Sequence, residues 1–144
     1  MSIEGKDLSY FTLRLLELLV SSFPEKVGDT AFVEERSANC ASVYEQAFKA
    51  GNSHDASLRM AEKVLFEGLH FSRYDTLFKV VCNEFDRLMA DEELQPFAMK
   101  MLPVCEEVFK GYILTDDFQD HQDYELLYTE LTGTIQLWIE DHGL

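Results

Sequence analysis

The sequence predicts an all-α fold, and three observations carry that expectation. Apolar residues recur at three- and four-residue steps along almost the whole chain, the spacing that gathers side chains on one face of a helix. No stretch shows the strict alternation of a half-buried strand. The periodic segments are punctuated by residues that stop helices: Pro24, Gly51, Gly68, Gly111 and Gly143. The reading is an irregular bundle of about six helices. At 144 residues the chain reads as a single helical domain, 1–144. A chain of this length can bury roughly 68–70% of its unfolded surface, enough for a genuine core.

Each element has a local cause. The first helix is expected from Leu8 to Ser22, with Leu8, Phe11, Leu15, Leu18 and Leu19 on one face and Leu13, Leu16 and Val20 widening it. Pro24 stops it. Gly28-Asp29-Thr30 is a start signal for the second helix, and Glu34 and Glu35 sit near its positive end. Phe32, Arg36, Cys40, Val43, Tyr44, Ala47 and Phe48 follow at helical steps, and Gly51 suits the C′ position. Asn52 or Ser53 caps a third helix whose buried side is Ala61, Val64, Leu65 and Leu69, ending at Gly68.

Ser72 or Arg73 opens a fourth helix with Tyr74, Leu77, Phe78, Val81, Phe85 and Leu88 on one stripe. Asp91 caps a fifth, where Leu94, Ala98, Met101, Cys105, Val108 and Phe109 keep the period. Pro103 interrupts that run. It lacks a backbone donor and clashes with the carbonyl four residues back, so the fifth helix is expected to kink or break near Pro103, around Lys100. Residues 112–120 read as a loop, and the sixth helix runs from about Gln122 to His142. Its apolar face is Tyr124, Leu127, Tyr128, Leu131, Ile135, Trp138 and Ile139.

Charge is distributed unevenly. Residues Gly111 to Leu144 carry eight acidic side chains and no Lys or Arg, while the other 110 residues carry 19 acids against 12 bases. More than half of the net charge of −15 therefore lies in the final quarter. Such a chain repels phosphate backbones and anionic membrane surfaces, which speaks against direct nucleic-acid or membrane binding. It leaves a basic protein partner, or mimicry of nucleic acid, as the classes that charge favours. Met1 to Asp7 lacks the basic region and apolar stretch of a secretory signal, and no apolar run approaches the ~18 residues of a membrane span. Cys40, Cys82 and Cys105 are odd in number and fall among core-spaced residues, as expected of reduced thiols in a cytoplasmic protein.

No catalytic, metal or nucleotide signature stands out, and no cofactor is expected. The densest polar segment, Leu114 to Asp123, has carboxylates suited to a hard cation but lacks the central Gly and the acid spacing of an EF-hand. Its plainer reading is a solvated loop whose Asp side chains cap the last helix. Glu67 and His70 have the Glu-x-x-His spacing of di-iron bundles, but only one copy exists and Gly68 interrupts it. His70 is thus expected to bond a helix end. The run Thr129 to Thr134 contains Gly133, which costs ~1 kcal/mol relative to Ala in a helix, so a close approach of another helix of the chain is expected there, with a homodimer contact or a groove for a partner helix as the alternatives. None of the cysteines has a neighbouring His to serve as a base, and no phosphate loop is present.

Three stretches carry a resemblance: Leu8 to Leu16, Val64 to Phe78, and Leu114 to Phe118 together with Tyr124 to Thr134. Through them the chain resembles an uncharacterised family of small acidic helical proteins from anaerobic bacteria of the mouth and gut, some near mobile-element genes. The family is catalogued as a domain of unknown function. The resemblance implies a bacterial cytosolic protein and an all-helical fold, and it carries over no catalytic or binding residue.

The functional expectation is a non-enzymatic interaction protein that presents an acidic, aromatic-flanked C-terminal surface to a protein partner or to itself. The interaction or pocket residues are Glu67, His70, Tyr74, Asp116, Asp117, Phe118, His121, Tyr124 and Tyr128. The alternative is a small-ligand-binding protein or enzyme with a pocket around Glu67, His70, Asp116, Asp117 and His121. A third reading is an acidic nucleic-acid mimic.

Overall fold

The computed structural model describes residues 3–144, with side chains from residue 8 onward. The reading of Met1 to Asp7 as lacking a secretory signal lies outside the described side chains. The protein is all-α. Seven α-helices and three short 3-10 turns are present, with no strand among the described residues. The chain divides into two compact units, one ending at Leu69 and the other spanning His70–Leu144.

The first unit holds α1 (Ile3–Ser22), α2 (Thr30–Lys49) and α3 (His54–Leu65). Phe11, Leu15, Leu19, Phe23, Cys40, Tyr44, Ala61 and Leu65 are part of its core. The buried stripe of α1 is narrower than the sequence suggests. Leu13 and Val20 are 58% and 64% exposed, because α1 packs against α2 on one side only. The buried side of α2 is Val33, Ser37, Cys40, Ala41, Tyr44 and Ala47, so Phe32 and Phe48 flank the core instead of joining it.

Caps lie where short polar side chains precede the helices. The Asp29 carboxylate accepts from the Phe32 N–H at 3.1 Å, and the Ser53 hydroxyl accepts from the Ala56 N–H at 3.1 Å. Gly51 (φ 100°) and Gly68 (φ 75°) supply the left-handed backbone that closes α2 and the turn after α3. One contact had no sequence signal. Arg36 Nη1 reaches from α2 to the carbonyls of Val64, Leu65 and Glu67, the last at 2.7 Å. A guanidinium there satisfies the orphan acceptors at the end of α3 and complements the helix dipole.

The second unit holds α4 (Arg73–Glu84), α5 (Asp91–Val104), α6 (Glu106–Lys110) and α7 (Tyr124–His142). Its core includes Leu77, Val80, Val81, Ala98, Met101, Cys105, Leu127, Leu131 and Ile135. Ser72 caps α4 through the Asp75 N–H at 2.9 Å. The fifth segment does break near Pro103, but at Cys105 and not at Lys100: α5 continues to Val104 and α6 begins at Glu106. Asp91 is the first helical residue of α5 and not its cap; the Glu93 carboxylate instead accepts from the Ala90 N–H at 3.3 Å.

Gly133 overturns an expectation. A Cβ placed there would meet nothing within 4 Å, so no helix approaches closely. Within the polar run Thr129 and Thr132 donate to the carbonyls of Glu125 and Tyr128, one turn back, so their hydroxyls are satisfied inside the helix.

Candidate functional site

The segment between α6 and α7 is built on one ring. Phe118 is buried, which pins a chain of exposed acids to the second core. Phe71 and Tyr112 meet it edge-on, with centroids 5.4 and 5.8 Å away, and His121 stacks on it almost parallel at 5.5 Å. Edge and offset contacts of this kind suit the ring quadrupole. A 3-10 turn, Phe118–Asp120, then leads into α7.

The polar contacts of the segment are local. Asp117 accepts from the Thr115 hydroxyl at 2.7 Å. The Tyr112 hydroxyl donates to Glu130 at 2.6 Å. Partial burial, the hydrogen bond to Glu130 and the charges of Glu130 and Asp123 push the Tyr112 phenol up to about 12. His121 Nδ1 accepts from the Asp123 backbone N–H at 3.0 Å. The same ring nitrogen lies 3.8 Å from the Asp123 carboxylate. The expected helix cap is not made: Asp123 occupies the cap position of α7 without a side-chain hydrogen bond.

Among the described residues, no Lys or Arg lies within 4 Å of any carboxylate in 111–144. Two lysines of earlier helices do reach α7, but they go to rings. Lys79 Nζ lies 5.6 Å from the Tyr124 centroid and Lys100 Nζ 4.9 Å from that of Trp138. Both distances fall within the range of cation–π attraction.

Among the described residues, three of the cavities that open on the second unit bear on this region. One, of about 600 Å³, has Lys79, Asp120, Tyr124, Glu125 and Tyr128 in its lining. The Tyr128 hydroxyl donates to Glu84 at 3.0 Å. A second, of about 480 Å³, is walled by Tyr112, Ile113, Phe118, His121, Asp123, Leu126 and Glu130. A third, of about 290 Å³, includes Glu92, Glu93, Lys100 and Trp138.

The candidate residues named from the sequence separate accordingly. Phe118 and His121 share one cavity, and Tyr124 and Tyr128 share another. Asp116 and Asp117 are exposed and line neither. Tyr74 is buried in the second core, stacked on Phe78. Glu67 belongs to the first unit, in the turn after α3, where its carbonyl holds Arg36. His70 begins the second unit, is exposed, and is not hydrogen-bonded to a helix end. Neither Glu67 nor His70 is helical, so the Glu-x-x-His spacing forms no shared face. Among the described residues no group of three or more His, Cys, Asp or Glu could hold a metal ion.

Sequence reasoning overlooked Tyr112, Leu126 and the pairing of Asp123 with Glu130. The available signal was the spacing Asp123, Leu126, Glu130, which is i, i+3, i+7 and marks one face of α7 outside its apolar stripe.

Burial opposes ionisation of the thiols. Burial pushes Cys105 up to about 12, and burial with the Glu62 charge does the same to Cys40, whose Sγ contacts the Ala61 carbonyl oxygen at 2.9 Å. Half-buried Cys82 is also raised, by burial and then by Asp86 and Asp91. Among the described residues no helix is long and apolar enough to cross a membrane.

Comparison with known proteins places this architecture. No curated protein matches the sequence significantly. A solved structure, the crystal structure of protein PG0816 from Porphyromonas gingivalis, is 43% identical, with a TM-score of 0.94, covering 100% of this chain and 98% of that one. The all-α fold is thus shared with an experimentally solved chain from an oral anaerobe. A family model, domain of unknown function DUF1896, matches residues 3–144. The chain belongs to the DUF1896 family.

Proposed function

We propose that the protein is a non-enzymatic interaction module of the cytoplasm, acting as one domain, whose acidic, aromatic-flanked C-terminal region docks a basic protein partner. One observation carries this reading: the carboxylates of 111–144 have no Lys or Arg within ion-pair distance among the described residues. Exposed carboxylates without counter-ions raise the local concentration of cationic partners and speed their encounter. The same charge disfavours direct contact with nucleic acid or anionic membranes. Raised thiol pKa values also favour a binding role over cysteine chemistry.

The test is binding of basic and acidic peptides to the purified protein across a salt series. Cationic peptides should bind, and should weaken as salt rises, because exposed charges are screened beyond ~8 Å at physiological ionic strength. Equal affinity for acidic and basic peptides would contradict the reading. The small-ligand alternative is favoured only by the cavity that Phe118 and His121 share. It expects a small neutral metabolite to protect the chain thermally, independent of salt.

A further inference from the structure

The three cavities share a composition of an aromatic ring beside carboxylates, but they differ in one respect. At Tyr124 the chain supplies its own cation, Lys79, beside Asp120 and Glu125. At Trp138 it supplies Lys100, beside Glu92 and Glu93. The cavity at Tyr112 has two aromatic walls and two carboxylates, Asp123 and Glu130, and its lining contains no Lys or Arg. The Nδ1 of His121 is occupied by the Asp123 backbone N–H and is not offered to a ligand.

We propose that the cavity at Tyr112 accepts arginine side chains from a basic amphipathic helix of a partner protein. This rests on the acidic-face reading above and names the chemistry of its partner. The Tyr112 hydroxyl holds Glu130 in place yet uses only one acceptor site of that carboxylate, leaving the rest for a guanidinium. The Phe118–His121 stack gives a flat wall beside Asp123, and guanidinium planes stack on such faces better than an ammonium does.

Spacing identifies a helix. Asp123 and Glu130 lie about 10.5 Å apart along the axis of α7, seven residues at 1.5 Å each. Leu126 sits between them on the same face and is 54% exposed. The stripe continues through Gly133, which has open space above it, to Leu137, 63% exposed. A partner helix with arginines seven residues apart and leucines between them would match carboxylate to guanidinium and apolar to apolar. A second copy of α7 would not, because residues 111–144 contain no base.

The probe is a fluorescent helical peptide of about 15 residues, long enough to form isolated turns, with Arg at i and i+7 and Leu on the same face. Its Lys and Glu counterparts serve as comparisons, each titrated into the whole chain. The Arg peptide should bind most tightly, the Lys peptide several-fold more weakly, and the Glu peptide not at all. Asp123→Asn with Glu130→Gln should weaken the Arg peptide by about tenfold, equivalent to ~1.4 kcal/mol. Removing the same charge outside the cavity, with Glu140→Gln and Asp141→Asn, should change it less than about threefold, since exposed rim charges contribute little. Circular dichroism of each variant checks that the fold persists.

Equal losses in the two double variants would overturn the cavity while leaving the acidic face intact. Failure of the Arg peptide to bind the unaltered protein at all would overturn both. Concentration-dependent self-association that the Arg peptide cannot reverse would instead show that a second copy covers the face, and would also overturn the proposal.

Discussion

The two units differ in how they use their basic side chains. The first, residues 1–69, carries eleven acids and seven bases. It directs its polar side chains inward between helices: Arg36 to three carbonyls of the α3 end, Cys40 to Ala61, and Tyr44 to His54. The second, residues 70–144, carries sixteen acids and five bases, and its described Lys and Arg leave the acids of α7 alone. Three of those bases lie over rings instead: Arg73 over Phe109, Lys79 over Tyr124 and Lys100 over Trp138. Similar apolar cores therefore support different surfaces. Polar groups close helix ends in both units, but in the second the carboxylates of 111–144 have no Lys or Arg within ion-pair distance among the described residues.

The cores should behave alike even though the surfaces do not, and thiol labelling tests this with the largest expected effect. At pH 8 a thiol held at about 12 is roughly 1,000-fold less ionised than one at 9, so Cys40 and Cys105 should resist a disulfide reagent that labels them quickly in denaturant. Cys82, half-buried, should react first. Because the folded state raises these pKa values, it favours the protonated thiol. Their contribution to stability is full below the unfolded value of 9.0 and is lost as pH rises toward about 12.

Next in size is the ring that anchors the acidic segment. Phe118→Ala should cost about 3–5 kcal/mol in urea unfolding, the range for emptying a buried aromatic site. It should also raise amide exchange across 112–123 before it affects the first unit. Arg36→Met tests the opposite half. It strips a charged donor from three carbonyls and should cost about 2–3 kcal/mol, with faster exchange at Leu65 to Leu69. A cost under half a kcal/mol would mean that water replaces the guanidinium without penalty.

The smallest effects concern single backbone positions. Ser53→Ala should destabilise by about 1 kcal/mol through loss of the α3 cap. Gly133→Ala should stabilise by up to ~1 kcal/mol, since the new methyl enters open space within a helix. Destabilisation there would revive the close-approach reading that the sequence suggested.

Much of this fold was legible, and the reasons are physical. Helical spacing of apolar residues locates α1 to α5 and α7, because burial of one face is what drives them. Start signals at Asp29, Ser53 and Ser72 are local chemistry and are confirmed atom by atom. Arg36 was counted among the residues of an apolar stripe because its role depends on a helix end 28 to 31 residues away. Gly133 was misread because a small residue looks the same in sequence whether a neighbour fills the space or not. The acidic bias of the C-terminal quarter was visible at once, but the cavity was not. It requires Tyr112 from one side of a loop and Asp123, Leu126 and Glu130 from the other, which the burial of Phe118 and the Tyr112–Glu130 hydrogen bond bring together.

The most direct test follows backbone amide shifts of the whole labelled protein as the arginine peptide is added at low salt. The account predicts shifts concentrated at Tyr112, His121, Asp123, Leu126, Glu130 and Leu137, all in the second unit, that fade as salt is raised. Shifts centred on α1, α2 or α3, or none at saturating peptide, would contradict it.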